Sequence, residues 1–380
     1  MNRATENGSG PVLNPLELFF DLVFVYAFTQ LTAFLSDHTS WTGVLQAALL
    51  LAALWRAWTK YSWLTVTVPV EQVLAERILI LVATVVTFVL GLTIREAFDQ
   101  AAALFGVSYF LLNALHFGLS TLGAGEETRR RTLDLLPGLL GGPALLLVAG
   151  FLDQPYRIPL WFAGVAVDYA MPLVRGVPGV RLHTVHFVER YRHIVIIALG
   201  ETILATGFSV GTDEFRLPPE VLFSALLAIT LIALLGWLYF DYVTLASEQR
   251  FEAAKGTDRN VLARDSYLYL HLPIVAGIIV TAFGLEETVL HGQSPLGPIA
   301  AAALCGGPAL YLLGHTAFWY RDIGRLSVPR LAVAASALAL LPLASGVSGL
   351  AGLAALTLLF ALLAVLETIF SPLRRSLRED

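Results

Sequence analysis

One cysteine, Cys305, stands alone in 380 residues, which excludes an intramolecular disulfide. Charge is scarce: 14% of residues are Asp, Glu, Lys or Arg, where a soluble domain carries about 25%. That is too little to cover a water-facing surface. Positive excess is missing as well. The formal net charge of −5 leaves no footprint for a nucleic-acid partner. The eight histidines (His38, His116, His183, His186, His193, His271, His291 and His315) are scattered, with no HxxHH box. A desaturase-like di-iron enzyme would need several such boxes. HExxH is absent too. No cleavable leader is visible in the polar opening MNRATENGSGPV.

What the chain does hold is long apolar runs. ILILVATVVTFVLGLTI (78–94) and ALLAITLIALLGWLYF (225–240) carry no charge, and 57% of the chain is hydrophobic, with mean hydropathy +0.72. A helix crosses the hydrocarbon core with roughly 20 apolar residues. Backbone groups in lipid must be satisfied within the protein, leaving helices or closed barrels, and these runs are too continuous for barrel strands. The expected fold is an all-α polytopic membrane protein of about twelve transmembrane helices. The segments fall near 15–36, 41–63, 77–94, 101–122, 133–152, 159–174, 187–210, 218–245, 266–283, 296–318, 329–343 and 347–369. Pro137, Pro143, Pro172 and Pro342 interrupt or shorten the fifth, sixth and eleventh.

With a cytoplasmic N-terminus, 21 of the 24 basic residues fall in or beside inside segments, and only Arg95, Arg157 and Arg216 fall outside. The positive-inside rule therefore supports the count and puts both termini in the cytoplasm. A shift of 172 residues lays ELFFDLVFVYAFTQLTA, from Glu17, over ERYRHIVIIALGETILA, from Glu189. VLAER at Val73 resembles VLARD at Val261. Two parallel six-helix repeats follow, over residues 15–178 and 179–371, with residues 1–14 a disordered tail and 372–380 a second cytoplasmic tail. In such repeats, sites lie between the halves.

PLELFFDLVFVYAFTQL and HFVERYRHIVIIALGETILA resemble the bacterial low temperature requirement protein A (LtrA) family over essentially the whole chain. The resemblance implies a multi-pass protein of the bacterial cytoplasmic membrane and a link to growth in the cold. FFDLVFVYAFTQL is similar to the FSD signature of lysosomal-type potassium channels. In those channels the first helix of each six-span repeat lines the pore. That likeness implies first and seventh helices along a pathway, and a second copy of the chain as partner. Phe20 stands where those channels have serine, which departs from their selectivity pattern.

Ionisable groups inside spans mark functional sites by default. Glu17, with Asn14 and Pro15, also fits a helix-capping role. Asp21 lies one turn deeper among phenylalanines, on the face of Thr29. Its repeat mate is His193, so the two are expected to approach each other, and Arg56 is a candidate counter-charge for Asp21. Glu201 follows Gly200, about 20 Å along its helix, and is the strongest single candidate. Gly200 would admit a close neighbour. Asp168 is another deep acid, and Glu189 is the repeat mate of Glu17. His183, His186, Glu189 and His193 share one broad face and form a candidate metal set, with an amphipathic helix entry as the alternative. No cofactor is expected. The reading is a cation or proton-coupled channel or transporter in contact with membrane lipid. The alternatives are a lipid-modifying membrane enzyme and a structural or sensory protein.

Overall fold

The computed structural model describes residues 15–67, 73–122, 126–176, 182, 184–209 and 218–370, without the side chains of 127, 128, 131 and 242–245. Among the described residues there is no strand. The helices are α1 (Pro15–Asp37), α2 (Trp41–Thr67), α3 (Leu74–Leu92), α4 (Ala102–Thr121), α5 (Glu126–Asp134), α6 (Leu136–Gly150), α7 (Arg157–Val174), α8 (Thr184–Ser209) and α9 (Pro219–Phe240). They continue with α10 (Tyr242–Ala253), α11 (Gly256–Leu262), α12 (His271–His291), α13 (Pro298–Ile323), α14 (Val328–Ala339), α15 (Leu341–Gly346) and α16 (Gly349–Phe370).

Ten of the described helical stretches are long and apolar enough to cross a membrane. Helices α2 and α7 fall outside that set although they run 27 and 18 residues. They carry Arg56, Lys60 and Asp168, which lower their apolarity and pair with one another. The large apolar side chains on the outside, among them Leu74, Val85, Phe208, Leu358 and Leu362, are exposed. A water-soluble surface does not carry apolar area on this scale; a bilayer-facing one must.

Helix boundaries follow local chemistry. Ser40 Oγ accepts the Gly43 N–H at 3.1 Å and so caps the start of α2. Helix α13 opens with Pro298 after Gly297 and stops at Gly324, whose φ of +77° is the left-handed cap that glycine adopts without strain. The expected eleventh span is broken at Leu340 into α14 and α15, with Pro342 opening the second piece. The segment 246–265, expected as an inter-span loop, is instead helical. Helices α10 and α11 lead through a π-helical stretch, Ala263–Tyr269, directly into α12.

A similar circuit of neighbours runs through each half, and in the second α9 and α16 also touch α12. In the first, α1 packs on α2 and α3, α3 on α4, α4 on α6, α6 on α7, and α7 back on α2. In the second, α8 packs on α9 and α12, α12 on α13, α13 on α14, α14 on α16, and α16 back on α9. Each half is thus a closed ring of six long helices. The rings meet where α1 and α2 touch α8 and where α1 touches α12. The tightest pair is α12 with α13. A Cβ added to Gly277 would sit 2.5 Å from the Tyr311 amide nitrogen, and one added to Gly284 would sit 2.5 Å from that of Leu304. The two backbones touch there, the use of small residues common between helices in lipid.

Candidate functional site

The seam between α1 and α8 has a single register. His186 meets Glu17, Arg190 meets Asp21, and Glu201 meets Thr32, each pair 169 residues apart. A constant offset along three contacts means that the helices run parallel, side by side. Both present the same depths to each other: Asp21 and Arg190 are each the seventh residue of their helix, Thr32 and Glu201 each the eighteenth.

At the N-terminal end of the seam, Arg190 is fully buried and organises the site. Its Nη2 donates to Asp21 Oδ1 at 3.0 Å, its Nη1 to Glu17 Oε2 at 3.4 Å, and its Nε to Ser62 Oγ at 3.2 Å. Trp58 Nε1 donates to the same Asp21 oxygen at 2.9 Å, and His186 Nε2 lies 2.8 Å from Glu17 Oε2. A buried guanidinium can be held in lipid only by carboxylates and good acceptors, and all of these come from α1 and α2. Asp21 Oδ2 has no hydrogen-bond partner among the described residues.

Going along the seam, Phe24, Phe28, Ile194, Val195 and Ala198 form an apolar belt, all buried. Beyond it lies Glu201. Thr32 Oγ1 donates to Glu201 Oε1 at 3.2 Å, while Oε2 is buried with no hydrogen-bond partner among the described residues. No ion pair reaches this carboxyl among the described residues. Further out, Ser36 Oγ donates to Glu286 Oε2 of α12 at 3.3 Å. Glu17 and Ser36 are 19 residues apart on α1, about 28 Å of helix, close to the thickness of a hydrocarbon core.

Several expected contacts are replaced by others. His193 acts on Asp21 only through space; its Nδ1 turns to the Glu189 carbonyl at 2.6 Å, and Arg190 makes the direct contact with Asp21. Arg56 is not the counter-charge of Asp21. With Lys60 it holds Asp168, at 3.3 and 2.9 Å, helped by Tyr109, while Lys60 also donates to Asn113 at 2.6 Å. Thr29 donates to its own helix at Val25, and Thr32 is the hydroxyl at the seam. Glu17 serves the seam rather than the helix start; Asn14 lies outside the described residues. Of the metal set, His183 lies outside the described residues, His186 belongs to Glu17, and His193 to the Glu189 carbonyl. Among the described residues no three His, Cys, Asp or Glu side chains group so as to hold a metal ion. Nothing approaches the α-carbon of Gly200; a Cβ there would meet open space.

A second buried pair lies outside the seam. Arg330 of α14 binds Glu367 of α16 through two bonds of 2.8 Å and also reaches His315 and the Leu238 carbonyl. The sequence pattern places Glu367 near the interface and puts Arg56, Lys60, Arg190 and Arg330 among inside-loop charges. The structure buries all four inside the bundle. Arg190 escapes a reading of the sequence because VERYRH has the pattern of an amphipathic helix entry. The signal that could have found it is its depth, which equals that of Asp21.

No solved structure matches the chain. A Rhizobium meliloti (strain 1021) protein described as uncharacterized is 32% identical over 330 residues, covering 82% of this chain and 78% of that protein. The family described as bacterial low temperature requirement A protein (LtrA) matches residues 12–366. The chain therefore belongs to the LtrA family, as a protein with many apolar helices fit to cross a membrane.

Proposed function

We propose that the protein moves a small cation or protons across the membrane along the α1–α8 seam. The observation that carries this is the seam itself. It is a parallel helix pair with carboxylates near both ends and an apolar belt between them. One buried carboxyl, Glu201, has no cation to neutralise it among the described residues. Buried acids kept only for architecture find a basic partner, as Asp168 and Glu367 do. An acid left with one hydroxyl in the span is suited to bind a passing cation or proton. Arg190 closes the other end by occupying Glu17 and Asp21, and the phenylalanines close the middle. Conduction requires these two closures to part.

The same proposal takes all twelve long helices as spans in two parallel six-helix repeats with both termini cytoplasmic. Parallel α1 and α8 demand an even number of crossings between their starts, and α1–α4, α6 and α7 supply six. The matching six-helix rings support the repeat. So does a common spacing of 199 residues between His116 and His315 and between Asp168 and Glu367. Glu17, Asp21, His186, Arg190, Thr32 and Glu201 line the path. Asp168, Arg56 and Lys60 hold the first ring together at its side.

Flux in proteoliposomes tests the proposal, with potassium, sodium and proton gradients imposed in turn. Wild type should carry at least one of these, and Glu201→Gln should reduce it tenfold or more. Folded wild type that passes none of the three would overturn the proposal. So would unchanged flux in both Glu201→Gln and Asp21→Asn.

A further inference from the structure

Like Glu201 and Glu76, one more buried carboxylate, Asp322 in the last turn of α13, has no ion pair among the described residues. It is 6% exposed. No basic side chain forms an ion pair with it among the described residues, and several arginines of the second half bind other acids. Arg264 and Arg321 both bind Asp265, at 2.7 and 2.9 Å. Arg192 binds Glu248 at 2.8 Å, and Arg330 binds Glu367. Arg250 and Arg321 act on Asp322 only through space.

What Asp322 does have is hydroxyl oxygen. Ser266 Oγ donates to Asp322 Oδ1. Ser247 of α10 lies within reach of the same carboxylate, but its fully buried Oγ closes no hydrogen bond of ordinary geometry among the described residues. Asp322 Oδ2 is likewise buried and unpartnered. Two unsatisfied buried oxygens turned toward one place are costly. They call for a ligand that supplies positive charge.

The backbone around Ser266 is also irregular. Ser266 sits in the π-helical stretch Ala263–Tyr269, closed by Leu270 N–H donating to the Asp265 carbonyl at 3.1 Å. Such stretches concentrate at functional sites. The wide coil leaves the Ser266 carbonyl to His271 Nδ1 at 2.9 Å, and His271 Nε2 lies 3.0 Å from the Tyr239 hydroxyl. Ser266 is thereby pinned with its hydroxyl inward. Asp322 stands at the carboxyl end of the 26-residue α13, where the helix dipole is negative and favours a cation. Interrupted helices and helix carboxyl ends that hold a small cation are a recurring arrangement in transporters.

We propose that Asp322, Ser266 and Ser247 bind a monovalent alkali cation between α10, the π-helical stretch and the end of α13. All three donors are hard oxygens, which excludes a preference for soft transition metals. One carboxylate and two neutral hydroxyls balance a single positive charge, whereas calcium sites gather six to eight oxygens with several carboxylates. Ser266 can donate its proton to Asp322 and still present a lone pair to the ion. The site does not include the α1–α8 seam, so it stands or falls independently of the transport reading.

Thermal unfolding of the purified full-length chain tests this, in lithium, sodium, potassium or choline chloride at matched ionic strength, with magnesium and calcium as further arms. A ligand that binds only the folded state raises Tm with its concentration. At least one alkali cation should raise Tm saturably over choline. Asp322→Asn should abolish the rise, and Ser247→Ala should weaken the apparent affinity tenfold or more. If Asp322→Asn does not fold, Ser247→Ala decides the matter, because it removes an oxygen without removing charge. Alkali cations that act no differently from choline would overturn the proposal. So would a response carried by calcium or magnesium alone, or one that Ser247→Ala leaves unchanged.

Discussion

The two ends of the α1–α8 seam bury carboxylates in opposite ways. At the N-terminal end, Glu17 and Asp21 share Arg190, with His186 on Glu17, Trp58 on Asp21 Oδ1 and Ser62 on Arg190, while Asp21 Oδ2 is left without a partner among the described residues. At the far end, Glu201 has the Thr32 hydroxyl and, among the described residues, no ion pair. The first arrangement resembles the rest of the bundle, where Asp168 is held by Arg56 and Lys60 and Glu367 by Arg330. Such groups fix helices in place. The second leaves coordinating capacity unused. Burial of a charge is therefore not by itself a sign of function in this protein; burial without a counter-charge is.

The largest effect should come from breaking the closed end. Arg190→Met leaves Asp21 without a counter-charge and Glu17 with His186 alone in a dry interface. Removing one partner of a buried ion pair costs about 3–5 kcal/mol, and here two carboxylates lose the same partner. Loss of monodisperse protein in detergent, or a large fall in Tm, is the expected outcome. Replacing Asp21 with Leu in the same chain should restore part of the loss, because it removes one of the stranded charges. If Arg190→Met were as stable as wild type, the closed end would not be a lock.

The open end should respond in the reverse sense. Glu201→Gln removes no ion pair, and the amide oxygen can still accept from Thr32. Hydrogen bonds between helices in lipid average about 0.6 kcal/mol, so the change in stability should be under about 1 kcal/mol. The flux should nevertheless be lost. A Tm close to wild type together with lost transport is the signature of a group kept for its ligand. A fall in Tm as large as that of Arg190→Met would instead make Glu201 a structural residue and erase the contrast between the ends.

Much of this architecture is legible in the amino-acid sequence. Charge-free runs point to the helical membrane class, and the repeat singles out the first and seventh long helices as a pair. The register is not legible. The sequence match aligns Glu17 with Glu189, at a shift of 172, whereas the contacts recur at 169. Three residues turn a helix by 300°, so the error rotates the facing stripe by about 60°. That is enough to put His193 where Arg190 belongs. Arg56 with Asp168 is hidden for a different reason. Their pairing depends on α7 closing the first ring against α2 across 112 residues, and single-helix patterns hold no information on ring closure. The π-helical stretch is equally silent, since 246–265 is polar enough to read as a loop.

The smallest effect should come from Gly200, next to Glu201. Its place in the sequence suggests a glycine that admits a close neighbour, but a Cβ added there meets nothing within 4 Å among the described residues. Within one copy, Gly200→Ala should therefore only remove the backbone freedom of glycine in a helix, stabilising the protein by roughly 0.5–1 kcal/mol. Flux and oligomeric state should not change. The exposed side chains beside it, Ile196, Ile203 and Leu204, would then simply face acyl chains. The opposite result is as informative. If Gly200→Ala lowered Tm, shifted the mass measured by light scattering, or cut flux, the space beside Glu201 would be filled by something outside this chain. A second copy packed at Gly200 would then flank the one carboxyl of the seam that lacks a counter-charge, and the open end would belong to an interface between two subunits.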